Sequence, residues 1–287
     1  MRVTRSLLAA AAAIAMAVTA VATGHAGAAS HGGPSHISKA PTWAPFDTAT
    51  ITPGMQTYTG NSQCTANFIF HNGTDVFLGQ AAHCAGTGGN TAIDGCSSPS
   101  QPLGAEVTDV GGNRIGEIAY SSWVTMQSLG EQDPDACAYN DFALIKLDSS
   151  LISHANPSMP TFGGPTGLRD NPFAQNSQVW GYANSQLRLG VLLLPRRGIV
   201  LSEQSGSWSH KTYTVTPGIP GDSGSGLLDT RGRAAGVLST IELRPFVGSN
   251  NYSDLLHVLD YAAAHGMRVS LVPGDVPFHH DITSTLL

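Results

Sequence analysis

The sequence predicts an all-β protein built as a barrel, on three observations. Short strand-like runs recur along the chain at 65–70, 75–81, 105–110, 114–119 and 142–147, then at 178–181, 191–194, 198–202, 212–216, 224–228 and 234–239. Turn signals punctuate them, such as Asn72-Gly73 and Gly111-Gly112-Asn113. Long helical periodicities are scarce, and 33 Gly, 17 Pro and only 12% charged residues suit a loop-rich β protein.

In chain order, residues 1–28 read as a secretory signal peptide. Arg2 and Arg5 form a positive start, an alanine-rich apolar run spans 7–22, and Ala26-Gly27-Ala28 offers a cleavage site. The run approaches membrane-spanning length, but alanine is weakly hydrophobic and the small-residue site follows at once, which favours export with cleavage. Residues 29–49 are rich in Gly, Pro, Ser and His and read as a leader or short pro-segment. His31 and His36 have no partners at ligand spacing and are expected to be solvated tail residues. The globular domain is expected over 50–287, with halves at about 50–156 and 166–287 joined by a linker at 157–165. Near the end, Ser253 is expected to cap a helix over 253–265, with Leu255, Leu259 and Ala262 on one face and Gly266 ending it.

The stretch richest in chemistry is Gly218-Ile219-Pro220-Gly221-Asp222-Ser223-Gly224-Ser225-Gly226. Glycines let a turn adopt positive φ and direct backbone N–H groups inward around one hydroxyl. Acyl transfer needs that combination of a nucleophile and donors aimed at the developing oxyanion. Alone, such a run is more often a surface loop. Two further stretches change the balance. Val76-Phe77-Leu78-Gly79-Gln80-Ala81-Ala82-His83-Cys84 ends a strand pattern on a histidine, and Asn140-Asp141-Phe142-Ala143-Leu144-Ile145-Lys146-Leu147 opens another on an aspartate. The order His83, Asp141, Ser223 differs from the orders of subtilisin and the α/β-hydrolases.

On AAHC at 81–84, NDFALIKL at 140–147 and GDSGSG at 221–226, the chain resembles the chymotrypsin-like serine proteases, in particular secreted bacterial ones. The resemblance implies two six-stranded antiparallel β-barrels and a C-terminal helix. It assigns Ser223 as nucleophile, His83 as general base and Asp141 as its orienting acid, with the Gly221 and Ser223 amides as the oxyanion hole. It puts Ser239 against Asp141, and it places Pro217 at the base of the primary pocket, with Ser239, Thr240 and Ile241 along its wall. With no acid at Pro217 and a β-branched Ile241, small or medium apolar side chains are expected at the cleaved position. The resemblance also pairs Cys64 with Cys84, leaving Cys96 for Cys137; zinc is disfavoured because no C-x-x-C spacing occurs. In relatives a freed Ile or Val N-terminus pairs with the acid before the nucleophile, here Asp222. Ile51 follows Thr50 rather than a basic residue, so that switch is left open.

No cofactor or metal is expected. A net charge of −6 gives no basic footprint for nucleic acid. The expected partners are protein or peptide substrates, met outside the cell by a monomer with no membrane attachment after signal cleavage. Two rival readings stay on the table: a catalytically silent protease-like binding module, and an esterase using the same triad.

Overall fold

The structure is a computed structural model that describes residues 41–89, 93–243 and 246–281. The expected signal peptide lies outside the described residues, as does the leader up to residue 40 with His31 and His36. The strands are β1 (Gln56–Thr59), β2 (Ser62–Thr65), β3 (Ile69–His71), β4 (Val76–Gln80), β5 (Glu106–Thr108), β6 (Arg114–Ser121) and β7 (Ala143–Leu147). The second half adds β8 (Gln178–Tyr182), β9 (Pro195–Gln204), β10 (Ser209–Thr214), β11 (Gly226–Asp229), β12 (Ala234–Ile241), β13 (Asn250–Asp254) and β14 (Ser270–Leu271). Three α-helices stand among them: α1 (Ser122–Leu129), α2 (Pro134–Tyr139) and α3 (Leu255–Ala264).

The second half closes into a six-stranded antiparallel barrel, ordered β10-β13-β12-β11-β8-β9. Val179, Val200, Leu227, Ala235, Leu238 and Tyr252 fill part of its interior. The first half is an antiparallel sheet of eight strands, β14-β3-β4-β7-β6-β5-β1-β2, and the C-terminal β14 is its added edge. The chain itself runs from β2 to β3 through Ala66-Asn67-Phe68, so the expected continuous strand at 65–70 is broken there. Asn67 accounts for the break: its side chain accepts from Phe68 N–H at 2.7 Å and donates to Gly224 O at 3.0 Å. That second bond ties the first sheet to the turn that carries Ser223.

Other departures from expectation have local causes. In the expected strand at 191–194, Val191–Leu193 form a 3-10 turn instead, with Val191 and Leu192 exposed, and Arg188 Nη1 donates to Leu193 O at 2.8 Å. The segment 157–165 is largely buried rather than an exposed linker, because Ser158 donates to Asp275 at 2.6 Å. The late helix is capped by Asp254, whose carboxylate accepts from His257 N–H, and not by Ser253, which is in β13. Leu255, Val258, Leu259 and Ala262 are its buried face, an i, i+3, i+4, i+7 stripe. Both disulfides join the expected pairs, Cys64–Cys84 and Cys96–Cys137. Among the described residues no helix is long and apolar enough to cross a membrane.

Candidate active site

Each of the three chemistry-bearing side chains is delivered by the end of a strand. β4 runs out through Gln80 and Ala81 into a 3-10 turn that carries His83. This turn is tied to β2 by the Cys64–Cys84 bridge. Asp141 stands between α2 and β7 and is 3% exposed. The Cys96–Cys137 bridge anchors the helix immediately before it. Ser223 sits in the turn before β11, whose carbonyl accepts from Thr65 N–H at 2.8 Å.

His83 and Asp141 meet closely. The His83 Nδ1 lies 2.6 Å from Asp141 Oδ2, and the His83 backbone N–H donates to Asp141 Oδ1 at 2.9 Å. Ser239 Oγ donates to Asp141 Oδ2 at 2.6 Å. Three donors therefore converge on one buried carboxylate and hold it ionised. Burial alone would raise the Asp141 pKa, but the charge and hydrogen bonds of His83, with Ser239, bring it below its ordinary value. For His83 burial pulls the pKa down, and the Asp141 charge and hydrogen bond outweigh it and raise the pKa. With Nδ1–H committed to Asp141, the neutral ring presents Nε2 as its free acceptor. No hydrogen bond joins Ser223 Oγ to His83 among the described residues; both side chains line one cleft, and such bonds commonly tighten only when substrate binds.

The turn around Ser223 is shaped for an anion. Gly221 has φ +94°, and a Cβ there would come within 2.3 Å of Gln63 Oε1 and 2.7 Å of Ser185 Oγ. Its peptide is fixed from both sides: Ser185 Oγ donates to Pro220 O at 2.5 Å, and Gln63 and Thr65 side chains donate to Gly221 O. Neither the Gly221 nor the Ser223 N–H donates to a protein acceptor among the described residues. Two fixed, unpaired amides beside a serine hydroxyl are the donors an oxyanion requires.

Asp222 is fully buried next to Ser223 and is neutralised by Arg188, which reaches both carboxylate oxygens. Ser185 and Ile219 N–H groups complete its shell at 3.1 and 2.9 Å. Ile51, the residue considered for that role, is buried elsewhere, with its N–H donating to His154 O at 3.2 Å. The turn is thus held in place by an internal arginine.

No protein-family model and no curated protein matches the chain. Solved structures do match. A Glu endopeptidase aligns with a TM-score of 0.50 at 19% identity, covering 78% of this chain and 96% of its own. Protease A of Thermobifida fusca gives 0.49 at 19% identity, with 78% and 99% covered. Cellulomonas bogoriensis chymotrypsin gives 0.47 at 16%, with 77% and 98% covered. The chain has the chymotrypsin fold. The structural neighbours are bacterial serine proteases of that fold, and what the chain shares with them at these identities is architecture.

Within this fold the cleft of about 490 Å³ brings together His83, Asp141, Gly221, Ser223, Ser239, Thr240 and Ile241. Pro217 is the exception. It is exposed and lies outside the cleft, packed toward Gly248, because the chain turns inward only at Gly218, whose N–H donates to Asn250 Oδ1 at 2.7 Å. Asn250, on β13, lines the cleft in its stead. The sequence reading missed Asn250, Arg188, Ser185 and the Trp123 that packs 6.3 Å from the His83 ring. Trp123 lies on α1, whose signals are plain in retrospect: a Ser121 cap and Gly130 at φ +65°. Arg188 and Asn250 carried no local signal.

Proposed function

We propose that the protein is a secreted serine endopeptidase working through an acyl-enzyme on Ser223. The observation that carries this reading is the hydrogen-bonded run from Ser239 through Asp141 to His83, set in one cleft with Ser223 and two unpaired amides. His83 Nε2 takes the Ser223 Oγ proton as that oxygen attacks the scissile carbonyl. Asp141 stabilises the imidazolium that results. The carbonyl oxygen becomes an oxyanion held by the Gly221 and Ser223 N–H groups, each such donor contributing about 3 kcal/mol. The imidazolium then gives its proton to the leaving amine, and a water deprotonated by the same His83 releases the acid and restores Ser223. No metal or cofactor enters these steps, and all four cysteine sulfurs are used in disulfides. The two disulfides also support export into an oxidising compartment.

The reading is tested by a fluorophosphonate reaction on the exported protein, with intact mass and peptide mapping, against Ser223→Ala. An adduct on Ser223 that the variant loses is expected, with cleavage of a peptide library by the same preparation. Absence of an adduct on folded protein would favour the silent binding module. An adduct with ester turnover and no peptide cleavage would favour the esterase.

A further inference from the structure

The loop between β8 and β9 reverses the usual order of inside and outside. In Gln186-Leu187-Arg188-Leu189-Gly190-Val191-Leu192-Leu193-Leu194 the charged residue is turned inward and most of the apolar ones outward. The Arg188 side chain is 4% exposed, whereas Leu189 is 96% exposed and Leu187, Val191, Leu192 and Leu193 are exposed with it. Folding by itself favours the opposite arrangement, because large apolar side chains left in water forgo the gain of burial.

The reversal is built in. Arg188 spends its donors beneath the loop: Nε and Nη2 on Asp222, Nη1 on Leu193 O at 2.8 Å, and Nη2 also on Pro217 O at 3.0 Å. Ser185 Oγ accepts from Leu187 N–H at 3.1 Å and donates to Pro220 O. Backbone bonds from Leu193 N–H to Gly190 O and from Leu194 N–H to Val191 O close the tip, and Ala183 N–H to Leu194 O closes the base. Turning the leucines inward would expel the guanidinium from Asp222. A continuous apolar surface held outward in this way marks a contact site.

This surface continues the cleft. Gln186 and Leu187 line the cleft, while Leu189, Val191 and Leu192 lie just outside it. The turn that carries Ser223 runs from Gly218, beside Asn250 and Thr240, to Gly221, beside Gln63. Gln186 N–H donates to Gln63 Oε1 at 3.2 Å, so the loop stands at the Gln63 end. It is therefore across Ser223 from Thr240 and Ile241, the wall given to the acyl half of a substrate. Its one charged side chain is committed beneath it, so the ledge matches an uncharged, apolar partner. An extended polypeptide threaded through the cleft arrives oriented, and the residues that follow the scissile bond fall on Leu187 and then on the ledge beyond.

We infer that residues 187–192 form a docking ledge for the leaving-group half of the substrate, selecting polypeptides that carry a run of large apolar residues after the cleaved bond. This rests on the endopeptidase reading above. The substrate class is extended or unfolded protein, since such runs are buried in folded chains.

The test uses the full exported chain and internally quenched peptides of equal length. They share whichever acyl half the peptide library shows to be cleaved, followed either by Leu, Val and Phe or by Ser, Gln and Gly. The apolar peptide is expected to have the higher kcat/KM by about tenfold or more, the low end of what an apolar contact discriminates. Leu189→Ser, Val191→Ser and Leu192→Ser combined, all at exposed positions, are expected to bring that ratio close to one. Fluorophosphonate labelling of Ser223 is measured in both proteins. Loss of labelling in the folded variant would show that the loop acts by holding the Gly221 turn, and would overturn the docking role. Labelled native enzyme that cleaves both peptides equally would overturn this inference and leave the endopeptidase reading intact. So would a native chain that sediments as a dimer which the combined variant dissolves, or one that binds phosphatidylcholine vesicles only with the ledge intact; the occupant would then be a second copy or a lipid surface. Neither label nor cleavage would overturn the endopeptidase reading and this inference with it.

Discussion

His83 and His210 are both held by carboxylates, and they are built for opposite purposes. His83 has one ring nitrogen bonded to Asp141 and its side chain 26% exposed at the cleft. His210 is fully buried, with Nδ1 2.8 Å from Glu203 and Nε2 2.9 Å from Asp254, and Phe173 packed edge-on at 4.9 Å. Burial would lower the His210 pKa, but hydrogen bonds and charge from Asp254 and Glu203 overcome it and raise the pKa to about 9. With both nitrogens engaged by carboxylates away from the cleft, His210 stays protonated through neutral pH and presents no free nitrogen to a substrate. It ties β10 to the acid that caps α3, and Asp254 is drawn down to about 2 by His210 and His257 against the opposing effect of burial. A histidine–carboxylate contact therefore does not mark a base. A nitrogen left free toward a cleft does.

The largest expected effect is on turnover. Ser223→Ala or His83→Ala is expected to lower kcat by about a millionfold, and Ser223→Ala leaves the thermal midpoint nearly unchanged. Asp141→Asn, which offers His83 the wrong partner, is expected to lose about ten-thousandfold. His210→Gln is expected to do the reverse. It removes the cation shared by Asp254 and the half-buried Glu203, costing about 3 kcal/mol, or about 10 °C in midpoint for a domain of this size. Activity per folded molecule is retained. Steady-state kinetics beside calorimetry on the four variants checks the contrast, and a His210 variant that is stable but inactive would break it.

The pH dependence separates the two histidines again. His83 must be neutral to act as base, so kcat/KM is expected to rise through a midpoint above 6.5, the direction in which Asp141 moves it. His210 has a folded pKa above its unfolded value. Its stabilisation is complete below about 6.5 and is lost as pH rises through about 9. Denaturant midpoints from pH 6 to 10 should show that decline, and His210→Gln should flatten it.

The smallest expected effect is that of Ser239→Ala. Removing one of three donors to Asp141 is expected to lower kcat/KM by about tenfold, the low end for a hydrogen bond to a charged group. It should also displace the acidic limb, which a purely structural role would not do.

What was legible in the sequence follows from range. His83, Asp141 and Ser223 each stand in a local run with its own strand or turn signal, and their chain order gave the constellation. The buried stripe of α3 was readable from Leu255, Leu259 and Ala262, although its cap shifted by one residue from Ser253 to Asp254. The residues that hold the site were not readable. Arg188 reaches Asp222 across 34 positions, and Arg196 reaches Asn250 across 54. Such pairs are set by barrel closure, which no local pattern encodes. Pro217 shows the converse error: counting back from Ser223 assumed that the chain enters the pocket at that offset, whereas it turns in one residue later, at Gly218.

The most direct test of the central claim is the rate of fluorophosphonate labelling at Ser223 as a function of pH in the native chain, His83→Ala and His210→Gln. The account predicts a single adduct on Ser223, a rate rising through a midpoint above 6.5 in the native chain and in folded His210→Gln, and near-complete loss of labelling in His83→Ala. Labelling that persists unchanged without His83, or that disappears with His210 in a folded variant, would contradict it.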